Sequence, residues 1–483
     1  MSLLPPTASP AVRWRGSVSL EEIDALTASL QRREPWMYWR EGERSWLSFG
    51  LVRWLRWESE QALDADLERY GSSPLDETPS LIVALPFPRS RGKDSPAEGS
   101  LALTVGGGHS PEAELTRGCW AIPSDPFGWR PEGVIEWSPE GTRLSLYESP
   151  MGANEGVNQR LIRWRERLSR PVGFTPIHGG EPLAAPLTLE PEESREDWDA
   201  RAHAALSACE AGKLEKLVLA RSGVAYPPPG HQFSLSGALE ALIARSSEAE
   251  IAFALSLRRG QLFCGVSPER LLSLSGDQLS THALAGTRAR GGRSDESLAA
   301  ELLTDPKELR EHALVVEGLR ARLARVCDEL EPSLPPQLKW LPQLVHLETT
   351  MNGRLREGSS RGALLSELHP SAALAGAPKR AALEWLAAHE SLERGLFASP
   401  IGALRGDGSL DLLIAIRSAL IEEGQARLFA GAGVVPGSTP AGEWAETAAK
   451  LETARGLLRV EQLSGSQPHD ALSSSEGRRD ECL

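Results

Sequence analysis

Glu308 with Glu311, and Glu443 with Glu446, form two Glu-x-x-Glu pairs far apart in the chain, each just behind a helix-start signal. In Pro436-Gly-Ser-Thr-Pro-Ala-Gly-Glu443-Trp444-Ala-Glu446-Thr-Ala-Ala-Lys450, Thr439 reads as the N-cap and Pro440 as a first-turn residue. Ala430-Gly431-Ala432-Gly433, just before it, reads as a turn. At about 100° per residue, Glu443, Glu446 and Lys450 share one helical face within roughly 60°. Asp305-Pro306-Lys-Glu308 combines a capping box with proline at the first helical position, and predicts a helix running to about Leu330. Its core stripe would be Leu309, Ala313, Val316, Leu323 and Cys327, with Glu308 and Glu311 beside the stripe and free to face another element across a cleft. Singly, each pair has a plain alternative: an exposed Glu446–Lys450 pair worth about 0.2–0.5 kcal/mol, or a first-turn carboxylate that suits the helix dipole. Together, carboxylates from two helices are hard-oxygen ligands suited to Mg²⁺, which keeps waters and shares itself with an anionic substrate.

Other charged residues sit where charge is expensive. Leu214-Glu-Lys216-Leu-Val-Leu-Ala-Arg221 is strand-like with both faces apolar. Lys216 is then either an edge lysine reaching solvent or an enclosed amine whose desolvation makes it a usable base. Arg417 follows the apolar run Leu412-Leu-Ile-Ala-Ile416, and a guanidinium inside such a strand needs an anionic partner. Glu269, in the loop Ser267-Pro268-Glu269, reads as a loop acid of the usual solvated kind, and His346, in a strand, as either a structural histidine or a site residue. Arg417 and Lys450 beside the carboxylates suit a second carboxylate, so the set suggests a small dicarboxylate held partly by metal and partly by cations.

The elements that must position these groups are mostly short strands. In the first part, a capping box at Ser19-Leu-Glu-Glu22 opens a helix to about Gln31. Strands follow over Ser45–Trp54, Pro79–Phe87 and Gly118–Pro123, then a hairpin of Val134–Trp137 with Thr142–Tyr147. Trp36, Trp39, Trp46, Trp54 and Trp57 suit a core. A Pro/Glu-rich link from Pro176 to Glu193 leads to a helix over Ser194–Ala211. Ile251–Leu257, Gln261–Val266, Leu271–Ser275 and Leu279–Leu284 read as a meander, whose short loops predict antiparallel pairing. Leu284-Ala-Gly286-Thr-Arg-Ala-Arg290 runs into Gly291-Gly292 as a mobile basic loop or an anion contact. A strand over Gln343–Leu355, short helices ending at Leu368 and His389, and hairpins of Ile401–Leu404 with Leu410–Leu420 and then Ala426–Phe429 complete the body. From Ser464 the Ser/Asp/Gly-rich tail is expected to be disordered.

Composition narrows the partners. A net charge of −14 over 483 residues argues against general nucleic-acid binding or an anionic membrane surface, while leaving room for a local basic pocket. Cys119, Cys209, Cys264, Cys327 and Cys482 show no zinc spacing and fit reduced thiols in a cytoplasm. No export signal or membrane span is expected.

Six stretches in order carry a resemblance to a known family: Glu215-Lys-Leu-Val-Leu-Ala-Arg221, Phe263-Cys-Gly-Val-Ser-Pro-Glu-Arg-Leu-Leu272, Leu284-Ala-Gly-Thr-Arg-Ala-Arg290, Glu308-Leu-Arg-Glu-His312, Leu428-Phe-Ala-Gly-Ala-Gly-Val434 and Gly442-Glu-Trp-Ala-Glu-Thr-Ala-Ala-Lys450. Over roughly residues 194–460 the chain resembles the chorismate-utilising enzymes. The resemblance implies one large α+β domain of antiparallel sheets packed face to face and flanked by helices. Residues 1–193 would be a variable part of that fold, 194–463 the chorismate-binding part and 464–483 the tail. Within the family, Lys216 stands where the hydroxylating members carry a water-activating lysine, and Ala285 where aminodeoxychorismate synthases place a nucleophilic one. Ala373 and Phe397 replace the Thr and Tyr of salicylate-forming members, which points to a reaction that stops at isochorismate.

The implied roles are Lys216 as base, Glu269 as acid, and Mg²⁺ held by Glu311 and Glu446 with Glu308 and Glu443. Arg417, Lys450 and the Gly431 N–H would hold the enolpyruvyl carboxylate, and Gly286 and His346 would line the ring site. A salicylate synthase that goes on to eliminate pyruvate, and a non-catalytic chorismate-binding protein, are the alternatives. Chorismate would be the partner, on a monomer or weak homodimer.

Overall fold

Strands that read as apolar on both sides fold as layers covered on both sides. Lys216–Ala225, Ile251–Ser256, Gln261–Ser267 and Pro79–Ala84 are buried along their whole length. The structure, a computed structural model, describes residues 12–16, 35–49, 53–57, 59–72, 78–87, 126–131, 133–138, 141–146, 187–245 and 249–463. The expected helix at Ser19–Gln31, the strand at Gly118–Pro123, most of the link from Pro176 and the tail from Ser464 lie outside the described residues.

Among the described residues the strands form two large antiparallel sheets. The first runs Val12–Gly16, Gly141–Leu146, Gly133–Ser138, Arg44–Phe49, Trp36–Glu41, Ile251–Ser256, Gln261–Ser267, Ser418–Glu422, Gln425–Val434, Lys216–Ala225 and Gly376–Ala377. The second runs Cys327–Pro332, Leu344–Leu355, Gln278–Ala289, Arg270–Ser275, Leu410–Ile414, Pro400–Arg405, Pro79–Ala84, Phe127–Arg130 and Arg53–Arg56. The largest apolar core joins them, uniting Leu217, Leu219 and Phe253 of one sheet with Leu272, Leu274 and Leu412 of the other. Helices flank the sheets, so the chain is a single α+β fold. Trp36, Trp39, Trp46 and Trp57 are core residues, each at most 5% exposed. Cys209, Cys264 and Cys327 are buried free thiols. No helix among the described residues is long and apolar enough to cross a membrane.

Crossings between the sheets revise three strand expectations, the first being Ser45–Trp54, whose Arg44–Phe49 part lies in the first sheet and Arg53–Arg56 in the second. The strands from Ile251 to Leu284 do not form one meander: Ser267-Pro268-Glu269 takes the chain from the first sheet into the second. Likewise the expected strand Leu410–Leu420 is broken, with Leu410–Ile414 in the second sheet and Ser418–Glu422 in the first. Arg417 therefore sits on a crossing and not inside an apolar strand. The crossings at Glu269 and Arg417 lie side by side, because Ile414 N donates to Glu269 O at 3.0 Å and Val266 N to Arg417 O at 3.4 Å.

Three further expectations change. The Pro306–Leu323 helix stops seven residues before Leu330, because Cys327–Pro332 pairs with Leu344–Leu355. Arg356 closes the helix end by donating to the carbonyls of Ala324, Arg325 and Cys327. The buried face of this helix carries Glu308, Glu311, His312, Val315, Val316, Leu319 and Leu323, and Ala313 is exposed. Ala430-Gly431-Ala432-Gly433 is no turn but the end of the Gln425–Val434 strand, registered against Lys216–Ala225. The supposed basic loop continues the Gln278–Ala289 strand as far as Ala289, with a bulge between Ala285 and Thr287.

The Pro440–Arg455 helix, capped by Thr439 through Gly442 N as expected, is fixed by aromatic contacts. Trp198 of the Arg195–Glu210 helix is fully buried; its Nε1 donates to Pro440 O at 3.1 Å and its ring meets Trp444 edge-on at 5.7 Å. The Arg221 guanidinium lies 3.7 Å from the Trp444 ring centre, and its Nε donates to Thr447 Oγ1. Replacing Trp198 with Ala should therefore cost about 3–5 kcal/mol in urea unfolding; a loss under roughly 1 kcal/mol would show that this anchor does not hold the helix.

Candidate active site

The acidic ends of the Pro306–Leu323 and Pro440–Arg455 helices meet beside the sheet crossings, around a chamber lined by Lys216, Glu269, Gly286, Glu311, His346, Ala373, Phe397, Arg417, Gly431, Glu446 and Lys450. Of the residues singled out in the sequence, these eleven share that chamber, and Glu308 and Glu443 lie behind its carboxylate side.

Lys216 opens its strand with a side chain 1% exposed, and its Nζ meets Glu311 Oε1 at 2.9 Å. The enclosed reading of this lysine is the one the fold realises. The approach requires glycine opposite: a Cβ on Gly433 would stand 2.2 Å from Glu311 Oε1 and 2.8 Å from Lys216 Cε. Glu269 is 5% exposed, and burial pushes its carboxyl up to about 7 although Lys216, Lys339, Lys450 and Arg417 pull the other way. At neutral pH it holds its proton in a substantial fraction of molecules.

Arg417 occupies the left-handed region at φ 54°, unusual for a side chain of its size. Its Nη2 stands 2.9 Å from His346 Nε2. Because a guanidinium only donates, Nε2 must accept, so Nδ1 carries the hydrogen and gives it to Thr287 Oγ1 at 2.9 Å. Burial first, then Arg417, holds His346 well below its ordinary pKa and neutral. The anionic partner expected for Arg417 is thus replaced at contact distance by a neutral ring, and burial lowers the guanidinium to about 10 despite Glu250, Glu446 and Glu269. Lys450 Nζ donates to Gly431 O at 2.8 Å and to Glu446 Oε1 at 2.6 Å. Gly286, at φ 80°, forms the strand bulge. Ala373 and Phe397 supply apolar wall, Phe397 stacking on Phe429 at 5.4 Å.

The four helix carboxylates are each tied to a cation. Glu308 Oε1 meets Arg288 Nη1 at 2.7 Å and Lys307 Nζ at 3.3 Å, while its Oε2 accepts from Thr287 N at 2.9 Å. Glu443 Oε1 meets Lys307 Nζ at 3.2 Å, but its Oε2 is buried with no hydrogen-bond partner. Burial and the neighbouring Glu446 push Glu443 upward. Burial would raise Glu446 as well, but Lys450 and then Lys307 hold it below the usual carboxylate range. As arranged, no three His, Cys, Asp or Glu side chains among the described residues stand in position to hold a metal ion. The donor set nevertheless fits Mg²⁺: four carboxylates from two helices offer hard oxygens only, and Glu443 Oε2 is buried without a hydrogen-bond partner.

Sequence reasoning passed over several contributors. Lys307 sits in the first turn of its helix, where the dipole disfavours a cation, and that broken rule was the available signal. Arg288 and Thr287 lay in the supposed loop. Arg394 Nη1 donates to Leu374 O at 2.8 Å and Nη2 to Val218 O at 2.9 Å, tying the chamber wall to the Lys216 strand. His312, which burial lowers to about 4, braces the bulge through Ala285 O and Thr349 Oγ1.

A chamber at the crossings of two sheets, lined by carboxylates, two arginines and two lysines, has the polarity of a small-molecule site. Residues 161–459 match the family described as chorismate binding enzyme, and the chain belongs to that family. The salicylate biosynthesis isochorismate synthase of Pseudomonas aeruginosa is 31% identical over 460 residues, covering 91% of this chain and 88% of that protein. The isochorismate synthase MenF of Bacillus subtilis is 34% identical over 271 residues, covering 56% of each. In structure, the menaquinone-specific isochorismate synthase MenF of Escherichia coli shares the fold with a TM-score of 0.70 at 24% identity, over 94% of this chain and 96% of that one.

Two outcomes follow from the geometry. Gly433→Ala should drive Glu311 and Lys216 apart, so chorismate turnover should fall while the circular dichroism spectrum stays that of the parent; unchanged turnover would mean the pair is not needed. Glu269, raised in the folded state from 4.5 to about 7, stabilises fully below pH 4.5, and that contribution is lost as pH rises through 7. Glu269→Gln should therefore be more stable than the parent at pH 8, by up to about 3 kcal/mol, with the gain vanishing toward pH 4.5. Equal urea midpoints at both pH values would contradict a buried acid here.

Proposed function

We propose that this protein is an isochorismate synthase, converting chorismate to isochorismate. The observation that carries the reading is a buried amine, Lys216, and a buried raised carboxyl, Glu269, lining one chamber with cations for a carboxylate. The printed names of the relatives above support the same activity.

The chain's groups suit a displacement with allylic shift. Arg417 and Lys450 would hold the enolpyruvyl carboxylate, with His346 keeping the guanidinium oriented and the Gly431 N–H as a further donor. Gly286 lines the chamber and would border the ring, and its φ of 80° with Leu347 close by favours glycine there. Lys216 is the group placed to take a proton from the water that attacks C2. The ring double bond shifts, the C4–oxygen bond breaks, and Glu269 gives its proton to the departing hydroxyl, which leaves as water. Glu311 and Glu446, with Glu308 and Glu443, would hold Mg²⁺, and the ion when bound would supply positive charge for the ring carboxylate.

Elimination of pyruvate would carry the C2 hydrogen to the enolpyruvyl methylene as the C3–oxygen bond breaks, and Ala373 and Phe397 line the chamber where the resemblance gives the salicylate-forming members Thr and Tyr. The proposed reaction therefore ends at isochorismate. A protein that only binds chorismate would have no use for a buried amine and a buried, raised carboxyl lining the same chamber.

Lys216→Ala and Glu269→Gln should each lose at least about a hundredfold in rate, and near-normal turnover in either would remove that residue from the mechanism. Chromatography of the products from chorismate should show isochorismate; salicylate with pyruvate as the main products would replace this activity by the longer one. Glu446→Gln should weaken the response to Mg²⁺, and an unchanged titration would exclude it as a ligand.

A further inference from the structure

Behind the carboxylates lies a second hollow, lined by Arg288, Lys307, Glu308, Ser438, Glu443 and Glu446 among others. It shares Thr287 and Glu446 with the substrate chamber, so these two residues border both spaces. Lys307 stands on its edge. The Lys307 Nζ lies 3.3 Å from Glu308 Oε1 on its own helix and 3.2 Å from Glu443 Oε1 on the other. One ammonium thus joins the two helices that the proposed metal would also join.

Nothing local explains a lysine there. It is the second residue of a helix that begins at Pro306, where the dipole disfavours positive charge. Its side chain is a quarter exposed, on the side of the hollow, and has space to swing away. As a counter-charge it is incomplete, since Glu443 Oε2 stays buried and partnerless. A tethered ammonium makes contacts near 3 Å, whereas Mg²⁺ accepts oxygens at about 2.0–2.1 Å and carries twice the charge.

We propose that Lys307 is a built-in counter-cation of the carboxylate site: it holds Glu308 and Glu443 together in the metal-free protein, and a divalent cation displaces it into the second hollow. The proposal rests on the metal reading given above. A tethered competitor lowers the apparent affinity of the ion by the fraction of molecules in which it has let go.

The test is calorimetric titration of the full chain with Mg²⁺, together with thermal melts in its absence and presence. Lys307→Met should bind Mg²⁺ about tenfold or more tightly, by that same competition. Its metal-free form should melt below the parent, and saturating Mg²⁺ should raise its melting temperature by more than the parent's. Equal or weaker binding by Lys307→Met overturns the competition. Lys307→Arg keeps the charge and the helix contact, so it covers the case in which the methionine variant does not fold; it should bind Mg²⁺ no more tightly than the parent, and tighter binding overturns the proposal. Glu446→Gln is the control for the site. Loss of the binding heat in that variant assigns the heat to these carboxylates, so a failure at Lys307 then leaves the metal reading intact. Unchanged heat in Glu446→Gln, or none in the parent, overturns both.

Discussion

A charge taken out of water is tolerated only where an opposite charge or a strong hydrogen bond meets it, and this fold buries acids and cations at one place. Lys216 is answered by Glu311, Lys450 by Glu446, and Lys307 by carboxylates from both helices. The exceptions mark the places left for something else. Arg417 faces a neutral histidine, Glu269 is pushed toward its protonated form, and one oxygen of Glu443 has no partner. Those mismatches are what a dicarboxylate and a divalent cation would satisfy.

The sheets make this matching possible. The crossings at Ser267-Pro268-Glu269 and between Ile414 and Ser418 lie together, which brings Glu269 and Arg417, about 150 residues apart in sequence, to neighbouring backbone positions. A crossing also frees a residue from the strand ladder. Arg417 can then hold a left-handed conformation that a regular strand would forbid, and its neighbours over-determine it. Small residues do the complementary work on the facing strand, where Gly433 lets the Lys216–Glu311 pair close.

What the sequence disclosed was local chemistry. Caps at Ser194, Asp305 and Thr439 place three helices because each depends on neighbours within one turn. The antiparallel pairing and the buried lysine strand were equally legible from alternation and loop length. Long-range choices were not. The residues after Leu323 could continue a helix by propensity and pair with a strand only because Leu344–Leu355 is there to receive them. Gly431 and Gly433 look like turn residues, yet both lie in a strand, and at Gly433 the missing side chain lets Glu311 reach Lys216. Lys307 escaped notice because its partner on the other helix is 136 residues away. The family resemblance supplied roles that no spacing could, and the fold brings those residues to one chamber except Glu308 and Glu443, which lie behind it.

The central claim is that water, activated at Lys216, enters C2 of chorismate as the C4 hydroxyl departs through Glu269. Turnover in ¹⁸O-enriched water with mass analysis of the isochorismate formed tests it directly. The account predicts one heavy oxygen in the product, at C2. Product carrying no label would mean that the original hydroxyl migrates within the substrate, and would contradict it.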